Sequence, residues 1–152
     1  MQNQDLCTLE IDKNDLLLVP SIGSRRKALK TFSIMIIEDD PIFISILSKI
    51  VGRYTVYTAD NAKEGIRSYI HRVPNLIFLD IGLPDTNGLY LLDKLMEIDP
   101  DAYVVIVSGE SEEKKIKQAS KSGIKGFVGK PFEPVIIQKH VAKCMAMHEK
   151  SK

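Results

Sequence analysis

The chain has no tryptophan, two cysteines and three histidines, and its 21 Lys and Arg against 20 Asp and Glu leave a net charge of only +1 over 152 residues. Each shortage argues against a class of function. Cys7 and Cys144 are far apart and outside any C-x-x-C pattern, which disfavours a disulfide framework, a zinc ribbon and a thiol redox motif, and fits a reducing, cytoplasmic setting. His71, His140 and His148 show neither metal-ligand nor catalytic spacing, so a histidine required by any reaction would have to come from a partner. Balanced charge supplies no global field for nucleic acid or an anionic membrane. Long apolar runs are also missing near the N-terminus: "MQNQDLCTLE" has no basic start and "LLLV" is the longest run nearby, so neither a signal peptide nor a membrane span is read.

What is present suits one compact domain. An apolar content of 44% is enough for a chain of this length to bury roughly two-thirds of its unfolded surface. Residues 1–32 stand apart as an N-terminal extension or linker, with "SIGSRRKALK" reading as a polar, basic connector and "RRKALK" as a solvated linker rather than a contact patch. From residue 33 to 149, short apolar runs rich in β-branched residues alternate with longer segments of helical spacing. The runs are 33–37, 54–58, 75–79, 103–107 and 126–129, and their unbroken apolarity predicts strands covered on both faces, as in a parallel sheet. Helices are predicted over 41–51 with Pro41 in the first turn, 60–71 with Asp60 as N-cap, 88–97, 111–121 and 133–149. The fourth opens with Ser111, Glu112 and Glu113 and has Gly123 just past its end. Five strands and five helices joined by right-handed crossovers make a doubly wound α/β sandwich.

The residues that follow each strand carry the chemistry. "IMIIEDDP" runs from its strand into Glu38-Asp39-Asp40, the third strand ends in Asp80, the fourth in Ser108 and the fifth in Lys130. In a parallel sheet these ends share one edge, the edge where open α/β sheets bind ligands. Any one of them has an ordinary reading: a carboxylate at a strand end is usually a cap, a lysine before a helix is usually solvated, and an aromatic in a central strand is usually core. Their convergence favours a site. Carboxylates this close need a counterion, because mutual repulsion would raise their pKa values and destabilise the fold. A hard divalent cation such as Mg²⁺ answers that need, joining one or two carboxylates to a phosphate. Lys130 suits a phosphate oxygen, Ser108 adds a hydroxyl, and Gly109 leaves the approach open. Asp80, ionised at neutral pH, could attack phosphorus without a general base if a cation and Lys130 neutralise the developing charge.

These segments resemble the response-regulator receiver domain, the phosphoacceptor module of two-component signalling, over about residues 33–148. "IMIIEDDP" is similar to the family's acidic-pair strand end, which places the pair at Glu38 and Asp39 and leaves Asp40 as the variable follower. "LIFLDIGLPDTNG" resembles the phosphorylation-site segment, "VIVSGE" its hydroxyl-bearing strand end, and "GKPF" its lysine followed by a usually cis proline, Pro131. The resemblance implies a flavodoxin-like (βα)5 sandwich with strand order 2-1-3-4-5. It implies Asp80 as phosphoacceptor, with Ser108 and Lys130 acting on the phosphoryl group. Mg²⁺ would be held by Asp39, Asp80 and the backbone carbonyl of Gly82, with Glu38 acting through water, and Ser108 and Phe127 would form the switch pair. Glu at 38 in place of the commoner Asp, Gly109 in place of a frequent Ala, and the leader depart from the pattern without removing a required group.

The function so implied is a switch rather than an enzyme. A histidine kinase or histidine phosphotransfer protein donates a phosphoryl group to Asp80, the new charge draws in Ser108 and biases Phe127 toward burial, and the surface of the fourth and fifth helices repacks. Only "KSK" follows residue 149, so a downstream protein target is expected rather than direct nucleic-acid binding, and Met145 and Met147 suit core packing or a homodimer contact. Two rival readings are a receiver-like binding module that is never phosphorylated and a Mg²⁺-dependent phosphohydrolase with an aspartyl-phosphate intermediate. The first typically loses one of the acidic, acceptor or lysine positions, all kept here. The second usually needs an Asp two residues after the nucleophile, where this chain has Gly82.

Overall fold

The computed structural model of the chain describes residues 9–109, 121 and 123–150. Among them, five strands form one parallel sheet: β1 (Ser33–Ile37), β2 (Thr55–Ala59), β3 (Leu76–Leu79), β4 (Val104–Gly109) and β5 (Gly126–Lys130). Their order is β2-β1-β3-β4-β5. The helices are α1 (Lys13–Leu16), α2 (Ile22–Ala28), α3 (Pro41–Ile50), α4 (Ala62–Arg72), α5 (Gly88–Ile98) and α6 (Pro134–Lys150), with a 3-10 turn at Val19–Ser21. Residues 111–120 of the helix expected over 111–121, together with Glu110 and Cys7, lie outside the described residues.

The central strands β1, β3 and β4 are buried on both faces, as unbroken apolar strands require. The edge strands β2 and β5, expected to be covered likewise, are only part-buried because each has a neighbouring strand on one side alone. Side chains alternate: Met35 and Ile37 of β1 pack with Ile77, Leu79, Val104 and Ile106 beneath α4 and α5, while Ile34 and Ile36 pack with Leu76, Phe78, Val105 and Val107 beneath α3 and α6. Every residue of β1, β3 and the first five of β4 is buried. At about 1.5–3 kcal/mol for each large aliphatic side chain withdrawn from water, these three strands carry a large share of the core's stabilisation. Because β1 pairs with β2 on one side and β3 on the other, the chain reverses its direction of growth between β1 and β3, which opens a crevice at their carboxyl ends.

Helix starts are set by short polar side chains. Asp40 caps α3 by accepting from the Ile42 N–H at 2.9 Å, with Pro41 at the first helical position. Asn87 caps α5 through the Leu89 N–H at 2.9 Å. The cap of α4 is Asn61, which accepts from the Glu64 N–H at 2.9 Å, and not Asp60 as the sequence suggests; the Asp60 carboxylate instead accepts from Asn61 Nδ2 at 2.7 Å. That contact holds the true cap in place.

The leader departs most from expectation. Leu9 and Ile22 are buried in the layer that also holds α4 and α5. "RRKALK" is only in part solvated: Arg26 turns inward, 9% exposed, to form an ion pair with Asp99 at the end of α5 and a hydrogen bond to the Tyr69 hydroxyl of α4. Tyr69 donates to the same Asp99 carboxylate. Arg25 reaches the carbonyls of Leu18 at 3.1 Å and His71 at 3.4 Å, and the buried Asp15 meets His71 Nε2 at 2.7 Å. A guanidinium that would be costly to bury alone becomes tolerable once a carboxylate and a hydroxyl complete its shell.

Candidate functional site

The carboxyl ends of β1, β3 and β5 bring Glu38, Asp39, Asp80 and Lys130 into one crevice. Carboxylate oxygens of Glu38, Asp39 and Asp80 lie within 4.8 Å of one another. Lys130 Nζ donates to Glu38 Oε1 at 2.5 Å and to Asp80 Oδ2 at 3.4 Å, and it sits 4.2 Å from the centre of the Phe43 ring. Glu38 is 1% exposed and Asp80 8%, whereas Asp39 faces solvent. The Asp40 N–H donates to Glu38 Oε2 at 3.1 Å, so the tight bend after β1 also anchors the buried carboxylate.

One ammonium cannot balance three carboxylates. Burial pushes the Glu38 carboxyl up to about 7, and its hydrogen bond with the Asp80 carboxyl adds to that rise against the opposing pull of Lys130. For Lys130, burial alone would lower the pKa, but the hydrogen bond to Glu38 and the charge of Asp80 outweigh it and the group is raised. The lysine is thus a fixed positive charge, and once Glu38 is ionised the described residues of the site carry an acidic excess of about the charge of a divalent cation. An all-oxygen donor set with one solvent-facing member fits a hard ion such as Mg²⁺, which keeps several waters.

The loop between β3 and α5 is braced from three directions. The Gly82 N–H donates to Asp80 Oδ1 at 3.1 Å, curling the loop back over the carboxylate. The Gly88 N–H donates to the Ile81 carbonyl at 3.0 Å, and a Cβ at Gly88 would come within 2.3 Å of the Ile81 Cα, so only glycine permits this closure. Asp85, which the sequence reading passed over, accepts from both the Ala62 N–H at 2.8 Å and the Lys63 N–H at 3.0 Å, tying the loop to the start of α4. Its partners are 22 and 23 residues away, so no local pattern announces the contact.

Ser108 is 1% exposed at the end of β4, paired in register with Gly129, next to Lys130. Phe127 lies on β5 opposite Ile106, with its side chain exposed and outside the carboxylate cluster. The Lys130–Pro131 peptide is cis, as the "GKPF" resemblance implies.

A doubly wound α/β sheet with an acidic, lysine-braced cluster at its strand-order switch point defines a class of α/β module that binds ligands at the carboxyl ends of its strands. The family is settled by comparison: the response regulator receiver domain model matches residues 34–142, and the chain belongs to that family. It is 30% identical over 104 residues to the chemotaxis protein CheY of Thermotoga maritima, covering 66% of this chain and 87% of that protein. To the transcriptional regulatory protein KdpE of Staphylococcus aureus it is 36% identical over 101 residues, covering 65% of this chain but only 43% of that one. Among solved structures, a CheY-like response regulator receiver domain protein from Methanospirillum hungatei superposes with a TM-score of 0.76 at 25% identity, over 81% of this chain and all of that one. The receiver domain of NtrX from Brucella abortus gives 0.71 at 26% identity, over 74% and 98%. Residues 1–33 precede the family match. Among the described residues no helix is long and apolar enough to cross a membrane.

Proposed function

We propose that the chain is a cytoplasmic phosphoacceptor switch in which Asp80 takes a phosphoryl group from a phosphohistidine of a histidine kinase or phosphotransfer protein. The observation that carries this reading is the grouping of Asp80 with Glu38 and Asp39 beside a lysine, with Lys130 Nζ 3.4 Å from its Oδ2. An Asp80 oxygen forms the new O–P bond as the donor's N–P bond breaks, and the electron pair returns to the imidazole nitrogen. Asp39, Asp80 and the Gly82 carbonyl would hold Mg²⁺, with Glu38 acting through water; when bound, the ion neutralises charge on the transferring phosphoryl oxygens. Lys130 is already oriented by Glu38 and Phe43 and needs little reorganisation to meet a phosphoryl oxygen. Ser108, at the end of the neighbouring strand, is the hydroxyl donor for another oxygen, and its inward shift frees space into which Phe127 can turn from its exposed position. The change in the β4–β5 surface is what a downstream protein reads.

A partner must approach the crevice, and the ground beside it suits protein contact. Ile42 and Ile46 of α3 and Val135 and Ile136 at the start of α6 are exposed, and the rings of Phe43 on α3 and Phe132, just before α6, lie 6.1 Å apart between centres. The deciding experiment is intact mass after incubation with acetyl phosphate, with and without Mg²⁺. A single phosphoryl adduct is expected only with Mg²⁺ and is expected to vanish in Asp80→Asn. Persistence of the adduct in that variant would reassign the acceptor, and no adduct with no donor consumed would leave a binding module. Steady consumption of donor without an adduct would indicate turnover.

A further inference from the structure

The acid crevice occupies one end of the sheet, and the other end holds a second concavity. Phe32, Asn75 and Tyr103, which directly precede β1, β3 and β4, line a cavity of about 500 Å³, within the size range of small-molecule sites. One wall is the leader: Gly23 and Lys27 lie at the i, i+4 spacing of one face of α2, and Lys30 follows past its end, where the chain turns extended at Leu29. The facing wall is the last part of α6, where Met145 offers an adaptable apolar surface. Residues 23–31 lie outside the family match, so the cavity exists in this form only because the leader packs where it does.

The lining specifies a ligand class. Phe32 is held edge-on by Tyr54 and His148, with ring centres at 5.5 and 6.2 Å, and Tyr103 is almost fully buried; together they favour a flat apolar body. The Asn75 side-chain oxygen is taken by the Ser33 N–H at 2.9 Å, so the group it offers a ligand is its NH₂. Arg26 is committed to Asp99. The remaining charges in the lining are Lys27, Lys30 and Lys125 against Asp101 and Glu149, one positive charge in excess. That balance matches a singly charged anion better than a polyphosphate.

We propose that this cavity is a binding site for a small organic monoanion with a flat apolar body, independent of the phosphoacceptor crevice. Gly23 allows a clean test, because a Cβ built there meets nothing within 4 Å: Gly23→Phe should fill the cavity without disturbing the packed chain. In a fluorescence titration of the full chain, anilinonaphthalenesulfonate is expected to bind saturably, one per chain, and as well to Asp80→Asn as to wild type. Gly23→Phe should weaken it by about tenfold, as expected when a side chain takes up the ligand's volume. The uncharged analogue phenylnaphthylamine should bind less tightly, and the double variant Lys27→Glu, Lys30→Glu should lose that preference for the anion. Binding that does not saturate, or that survives Gly23→Phe undiminished, would overturn the proposal, as would equal affinity for the two dyes in wild type. If Gly23→Phe fails to fold by circular dichroism, the double lysine variant decides.

Discussion

The two ends of the molecule each bury a cluster of charge, and they do so to opposite effect. Beneath the leader, Arg26, Tyr69 and Asp99 form a closed set in which one cation meets one carboxylate and the hydroxyl completes the shell. At the carboxyl end of the sheet, Lys130 pairs with Glu38 and Asp80 while Asp39 lies in the same carboxylate cluster, so among the described residues of the site acid outnumbers base. The first arrangement is finished when the protein folds. The second is left with acid in excess among the described residues, which is why similar residue types are structural at one end and form the candidate site at the other.

The largest test of that contrast removes one charge from each cluster. Arg26→Met leaves Asp99 buried without its partner, and breaking a buried pair from one side typically costs about 3–5 kcal/mol. Asp80→Asn removes a charge from a cluster with too many, so the metal-free protein should be as stable as wild type or more so. Urea unfolding of both variants without metal checks the pair. A loss in Asp80→Asn as large as that in Arg26→Met would mean the crevice is as closed as the leader contact.

The same contrast governs what the sequence could reveal. β1, β3 and β4 were legible because burial on both faces forces continuous apolar runs, and the crevice because Glu38, Asp39, Asp80 and Lys130 each follow a strand directly. Chain order alone brings them to one edge once the sheet is parallel. The leader was not legible, since Arg26 finds its partners 43 and 73 residues away and its segment has the composition of a solvated linker. Asp85 was missed for the same reason. The shift of the α4 cap from Asp60 to Asn61 is a subtler case, because two adjacent residues have equal capping chemistry and the backbone, extended at Asn61, chooses between them.

A smaller effect should appear with pH. The Glu38 carboxyl is raised in the folded state from 4.5 to about 7, so between those values the unfolded chain has released its proton while the folded one keeps it. The stability this group contributes is therefore complete below about pH 4.5 and lost as pH rises through 7. Thermal unfolding of the metal-free protein should show a midpoint several degrees higher at pH 5 than at pH 8 on this account, with Glu38→Gln flattening the difference. Added Mg²⁺ should restore stability on the alkaline side, since it binds the ionised cluster. Unfolding of Arg26→Met should keep the wild-type pH slope, because the closed cluster does not contain the titrating group.

The smallest effect separates fold from site within a single residue. Asp85 spans two N–H groups at the start of α4 while its own loop carries Asp80 and Gly82, so its removal should register twice. As a cap, it should cost about 1 kcal/mol in Asp85→Ala, measurable in urea. As a brace for the loop over the crevice, it should raise the Mg²⁺ concentration needed for half-maximal phosphorylation by up to about tenfold, the low end for groups that orient metal ligands. Asn61→Ala removes a cap from the same helix without touching the loop. If both variants lose similar stability but only Asp85→Ala shifts the Mg²⁺ dependence, the helix start is rigid ground against which the crevice is set; if both shift it equally, the crevice depends on α4 as a whole and not on this one carboxylate.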